Sequence, residues 1–273
     1  MFGFWYNKEG EVSRFSMILA LAVAAMALVG AVFLMRPSVQ MAQKIIKSWQ
    51  GSYKLIVIKP DNCKDCFDIY QVSDFVKDAK AIKYSRTKEY KASNYNAELL
   101  IKTYKIKNLP TFILQGDVKA LGLDQVFDAS STAFIDDKNF VYNNAFPPFY
   151  NLDEKKIRGE FNLTYITDLS CTKCYDVYLH DKAMENLVMK PVASSTLDAV
   201  LPDGKKIIED YKITAVPTIV LKGDMDAYQN FKKLWESVGT VEKDGTYVFR
   251  ESGLKLMGIY KNLKTGGLVT PKQ

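Results

Sequence analysis

The chain has 273 residues, too many for one small domain and enough for two of ordinary size. Hydrophobic residues make up 48% and charged residues 25%, a composition that buries real cores and excludes a disordered chain. The net charge of +6 comes from lysines spread along both halves, which reads as a solvated surface and not as a nucleic-acid interface.

The first predicted element is "FSMILALAVAAMALVGAVFLM", residues 15–35, uncharged and framed by Arg14 and Arg36. A helix of this length spans roughly 30 Å, the thickness of a bilayer core. No small-x-small cleavage site follows it, and no face of it is polar. An uncleaved transmembrane anchor is therefore expected, with a cleaved signal peptide as the alternative; a core helix is excluded. The flanking positive charges nearly balance, so they do not set its orientation.

Beyond the anchor the chain repeats itself at an offset of 107 or 108 residues. "NCKDCFDIY" (62–70) falls on "SCTKCYDVY" (170–178), "YKIKNLPTFILQGD" (104–117) on "YKITAVPTIVLKGD" (211–224), and "FIDDKNFVY" (134–142) on "VEKDGTYVF" (241–249). Three blocks in one order mean a duplicated domain, and two copies are too few for a solenoid. The expected division is a tail and anchor at 1–36, a first domain at 37–150 and a second at 151–273, with the boundary at the prolines of "FPPFYN".

Each copy reads as α/β. A branched apolar run, "YKLIVIK" (53–59) or "FNLTYIT" (161–167), is a buried strand. The Cys-x-x-Cys follows and is expected to open a helix. A second strand is expected near 81–85 or 192–196, and a second helix near 97–104 or 205–211. Leu109-Pro110 or Val216-Pro217 then introduces a further strand, and a hairpin closes the copy, with Asp244-Gly245 as a type I′ turn signal in the second.

These residues resemble the thioredoxin superfamily, which places a Cys-x-x-Cys after a central strand and a cis-proline before a later one. Cys63 and Cys66 precede Pro110 by 47 and 44 residues; Cys171 and Cys174 precede Pro217 by 46 and 43. Two such domains in one chain look like the tandem protein disulfide oxidoreductases and isomerases. The resemblance implies two thioredoxin-like domains, each a mixed sheet flanked by helices, and thiol–disulfide exchange on protein substrates. It implies cis bonds at both prolines and substrate binding at Leu109, Pro110, Val216 and Pro217. The expected partners are protein thiols and disulfides, a redox partner that recharges the site, and the membrane through the N-terminal helix; no cofactor or metal is expected. Such chemistry belongs outside the cytosol, so the domains are expected on the extracytoplasmic face.

At a helix start the free N–H groups and the dipole lower the pKa of the first cysteine. Cys63 and Cys171 are thus expected to attack. Cys66 and Cys174, on the same helical face as Ile69-Tyr70 and Val177-Tyr178, are expected to be buried and to resolve the mixed disulfide. Asp68 and Asp176 read as first-turn acids, and Asp168 as an exposed acid that sets the second site apart from the first. The lone imidazole, His180, reads as a surface helix residue and argues against a Cys-His hydrolase. The sequence departs from the family at Val57 and Tyr165, which stand where thioredoxins carry a buried acid. Two other readings remain beside the enzyme: a redox-inactive binding scaffold, and a four-cysteine metal site, although 104 residues part the pairs where zinc ribbons use about 15–20.

Overall fold

A computed structural model describes residues 52–123, 127 and 132–271. The expected anchor lies outside them, and among the described residues no helix is long and apolar enough to cross a membrane. Apart from Ser52 and Ala81–Lys83, they fall within one compact unit.

The order is β1 (Ser52–Lys59), α1 (Tyr70–Ala79), β2 (Lys83–Lys91), α2 (Tyr95–Tyr104), β3 (Asn108–Leu109), β4 (Thr111–Gln115), β5 (Thr132–Asp136), β6 (Asn139–Tyr142), β7 (Phe149–Asn151) and β8 (Lys156–Arg158). The second repeat continues with β9 (Phe161–Thr167), α3 (Leu179–Asn186), β10 (Ala193–Asp198), α4 (Pro202–Asp210), β11 (Ala215–Val216) and β12 (Thr218–Gly223). It ends with α5 (Phe231–Trp235), β13 (Gly239–Val241), β14 (Tyr247–Phe249), α6 (Glu251–Met257), β15 (Tyr260–Asn262) and β16 (Leu268–Val269).

Two five-stranded sheets result, β2-β1-β4-β6-β5 and β10-β9-β12-β14-β13, in the same order. In the second sheet β9 and β10 run parallel, so a helical crossover joins them, while β12 is antiparallel to both its neighbours. The molecule is mixed α/β, as the sequence implies. Alternation in β9 sends Phe161, Leu163 and Tyr165 into one core with Met184, Trp235 and Leu254, and Ile166 into another beneath α4 with Val216 and Val220. All four residues of "TIVL" are buried because both faces of β12 are covered. In the first repeat Ile58, Ile113 and Val141 pack with Ala97 of α2.

Helix boundaries follow local chemistry. Asn94 caps α2 by accepting the Asn96 N–H at 3.0 Å, and Lys105 stops it in the left-handed region at φ 50°. Pro202 opens α4 at the position where its missing N–H costs nothing. The Asp244-Gly245 turn is not type I′. Only Gly245 has positive φ (82°), its N–H bonds Glu242 O at 3.0 Å, and Glu242 N–H closes on Thr246 O at 2.8 Å.

Two smaller sheets, β3-β7-β8 and β11-β15-β16, complete the repeats. β7 pairs with β3 and β8 with β7, so strand pairing carries the first repeat to Arg158, past the expected boundary at 150.

Candidate active site

Cys63–Cys66 and Cys171–Cys174 are disulfides, each in the bend between an interior strand of its sheet, β1 or β9, and the helix that follows. The cysteines do not open those helices, contrary to expectation. α1 begins at Tyr70 and α3 at Leu179, past the second cysteine by four and five residues. The dipole effect fades within a turn, so it gives the first cysteine no strong push toward thiolate. Asp68 and Asp176 instead close the loop: Asp68 Oδ1 accepts the Tyr70 N–H at 3.1 Å and Asp176 Oδ1 the Tyr178 N–H at 3.0 Å. All four cysteines are half-buried, so burial does not single out Cys66 and Cys174 either.

What fixes each loop is a hairpin. Phe67, next to Cys66, donates its N–H to Pro148 O at 2.8 Å; Tyr175, next to Cys174, donates to Ile259 O at 2.8 Å. Both carbonyls lead directly into the hairpins β7–β8 and β15–β16. The Leu109-Pro110 and Val216-Pro217 bonds are cis.

The same hairpins run along the residues before those prolines. Val216 stands opposite Lys261, and Leu263 N–H bonds Thr214 O at 2.8 Å. Bond-exchanging pairs alternate in an antiparallel ladder, so with 214 and 263 bonded the next such pair is Val216 and Lys261. The first repeat matches: Leu152 N–H bonds Lys107 O at 2.8 Å, and Leu109 faces Tyr150. The backbone edges expected to hold substrate at Leu109 and Val216 are therefore occupied by the chain itself, and both side chains are fully buried.

The second loop carries ties that the first lacks. Asp168, expected to be exposed, is 3% exposed. It meets Lys261 Nζ at 2.6 Å, and its Oδ1 accepts the Ser170 N–H at 2.9 Å and the Ser170 hydroxyl at 2.5 Å. Lys261 foremost, then Ser170, holds its carboxyl below the usual carboxylate range. Cys171 N–H bonds the Asp168 carbonyl at 2.9 Å. His180, expected on the surface, is 3% exposed, and burial pushes its pKa down to about 4 against a weaker opposing pull from Asp181. Its Nε2 lies 3.0 Å from Tyr175 Oη, and Tyr175 donates its O–H to Pro217 O at 2.9 Å. At the family's acid position Val57 is fully buried, while Tyr165 donates its O–H to Asp181.

Tyr175, His180 and Lys261 are the site residues that sequence reasoning missed. A signal existed for His180: Val177, His180 and Met184 repeat the i, i+3, i+7 stripe of Ile69, Val72 and Val76, all buried. Another existed for the hairpins, since "NL" at 151–152 returns at 262–263, but at an offset of 111. The first repeat crosses from β6 to its hairpin in 143–148, while the second uses 250–259 and inserts α6 there.

The four thiol positions are not gathered into one site, and among the described residues no group of three or more His, Cys, Asp or Glu could hold a metal. No protein-family model matches the chain, and no curated protein does. Among solved structures, human ERp44 in its zinc-bound form is 13% identical over 63% of this chain and 48% of that one, with a TM-score of 0.18. Human ERp44 form I is 14% identical over 63% and 45%, TM-score 0.16. The NTD_N/C domain of alkylhydroperoxide reductase AhpF from Enterococcus faecalis is 8% identical over 68% and 90%, TM-score 0.19. The chain spans about half the length of the ERp44 chains. These low TM-scores carry no weight beside the strand order seen directly in the chain.

Proposed function

We propose that the chain is a thiol–disulfide oxidoreductase of two thioredoxin-like domains, exchanging disulfides with protein substrates at Cys63–Cys66 and Cys171–Cys174. The observation that carries this reading is the duplicated arrangement: in each repeat a half-exposed disulfide follows an interior strand, and one hairpin ties the residue after its second cysteine to the segment before a cis-proline. Strand order, repeated without change, supports the thioredoxin-like assignment. A disulfide across two residues closes too small a loop to contribute much chain entropy, which favours chemistry over scaffolding.

The thiolate of Cys63 or Cys171 attacks one sulfur of a substrate disulfide, forms a mixed disulfide and expels a substrate thiolate. The thiolate of Cys66 or Cys174 then attacks its neighbour's sulfur, closes the ring and releases the second substrate thiolate. Two electrons pass to the substrate; the reverse sequence oxidises it, and a partner thiol or disulfide resets the site. Anchoring of the backbone beside Cys66 and Cys174 supports giving those cysteines the resolving role. The sequence alone supports the rest: anchor 15–35 in the membrane, with the domains on the extracytoplasmic face.

Insulin reduction by the full chain tests the reading. Replacing either pair by Ser should leave partial turnover, and replacing all four cysteines should abolish it. A wild-type rate no faster than the four-Ser variant refutes the enzyme.

A further inference from the structure

The second disulfide is held by a buried polar chain. Tyr175 Oη has one hydrogen, and Pro217 O, 2.9 Å away, can only accept it. The 3.0 Å contact with His180 is therefore donated by the ring, which places the proton on Nε2. The imidazole packs edge-on against Phe249, centroids 4.6 Å apart, and Phe249 O accepts the Thr218 hydroxyl at 2.7 Å. The Cys174 side of the loop is thus joined to α3, β12 and β14 where water does not compete. In the first repeat Phe67 and Val72 stand at the positions of Tyr175 and His180. Phe67 has no hydroxyl, and its ring leans on Phe146 at 5.1 Å.

We propose that Tyr175 and His180 are positioning residues of the second site, holding its loop in the disulfide-forming geometry and making Cys171–Cys174 the more reducing of the two pairs. The proposal gives the oxidoreductase reading an internal direction, and its use to the cell rests on that reading. In the exchange P(SH)2 + GSSG → P(S–S) + 2 GSH, two thiol protons leave on glutathione and two electrons pass from the protein to the glutathione disulfide. A loop that keeps its shape when reduced holds its thiols together, so closing the bond loses little conformational entropy and the equilibrium constant is large. The first loop is tied ahead of Cys63, where Asp61 accepts the Ser93 N–H at 3.1 Å and its hydroxyl at 2.7 Å, but it lacks the hydroxyl–imidazole tie beyond its second cysteine, gains more freedom there on reduction and has the smaller constant. Electrons therefore run from the second pair to the first.

The test is glutathione titration of the full chain, each pair measured with the other replaced by Ser. The wild-type constant for Cys171–Cys174 should exceed that for Cys63–Cys66; equality or the reverse order overturns the proposal without any further variant. Tyr175→Phe should lower the second constant about fivefold, the worth of one buried hydrogen bond, which is ~20 mV for a two-electron couple, and leave the first unchanged. The double variant Tyr175→Phe/His180→Val copies the first repeat, removes the stranded ring nitrogen and should shift the same way. An unmoved second constant in a variant that melts as a folded protein overturns the positioning role, as does an equal shift in both pairs. Insulin reduction separates the two ideas: no wild-type turnover with a shifted constant removes the oxidoreductase reading and leaves the positioning residues standing.

Discussion

His180 shows what one side chain does on an apolar stripe. It fills the place that Val72 fills in the first repeat, and burial without a counter-charge in contact keeps it neutral down to a pKa of about 4. The unfolded chain binds that proton near the ordinary 6.5, so between the two values the unfolded state carries more protons. Stability contributed by the neutral ring is present in full above 6.5 and is lost as pH falls toward 4. The expected loss is about 3 kcal/mol, from the separation of the two values. Urea unfolding at steps from pH 7 to 4 reads it, and His180→Phe should flatten the slope through this window. Depressed carboxylates, Asp168 and Asp224 from 3.8 and Glu89, Glu154 and Glu242 from 4.5, begin to lose stability at the bottom of this window, so the His180 contribution is read as the difference between wild type and His180→Phe.

At the scale of elements, the hairpins β7–β8 and β15–β16 fix the cysteine loops that the helix N-termini were expected to carry. Each joins the loop after the second cysteine to the strand before the proline. In the second repeat Lys261 of β15 also neutralises Asp168, whose side chain is 1% exposed against 26% for the lysine. Lys261→Met leaves that carboxylate buried without a cation and should cost about 2 kcal/mol at pH 7, less than the ~3–5 kcal/mol for a fully buried pair because the lysine is partly solvated. The cost should shrink as pH falls and the stranded carboxylate takes up a proton that the carboxylate paired with Lys261 still refuses. Denaturation midpoints of the variant and wild type at pH 7 and 3 check both parts. Asp176→Ala removes the acceptor of the Tyr178 N–H and should cost about 1 kcal/mol, with the loss localised to α3 in amide exchange.

At the scale of the whole molecule, the two repeats meet at a hydrogen-bonded junction. Arg158, at the end of β8, donates from Nε to Asp224 Oδ2 and from Nη2 to Asp224 Oδ1 at 3.1 Å. Asp224 also accepts the Gly159 N–H at 3.1 Å, and Tyr228 donates its O–H to Gly159 O at 2.9 Å. Gly159 itself sits at φ 86°, where an added Cβ would lie 2.3 Å from Pro147 Cβ. Only glycine fits both the backbone and the space. Gly159→Ala should destabilise by more than about 2 kcal/mol. Calorimetry should give one transition for the wild type, with calorimetric and van't Hoff enthalpies equal, and two for Gly159→Ala. Two transitions in the wild type would show that the repeats unfold independently.

The duplication, the order of elements along the chain, the paired Cys-x-x-Cys and the two prolines were legible in the sequence because each is written in short stretches of it. Alternation in "FNLTYIT", the apolar run "TIVL" and a proline after a short strand need only their neighbours in the chain. The helix starts at Tyr70 and Leu179 were missed because Asp68 and Asp176 make local turns that compete with helix, and which conformation wins depends on where Phe67 and Tyr175 send their N–H groups. Those partners, Pro148 and Ile259, lie more than eighty residues away. The same holds for the occupied edges at Leu109 and Val216 and for the burial of Asp168 beside Lys261. A period or a spacing reports the face of an element, but the occupant of a free strand edge, or the cation that lets an acid be buried, is chosen by packing between distant segments. Only the tertiary structure decides it.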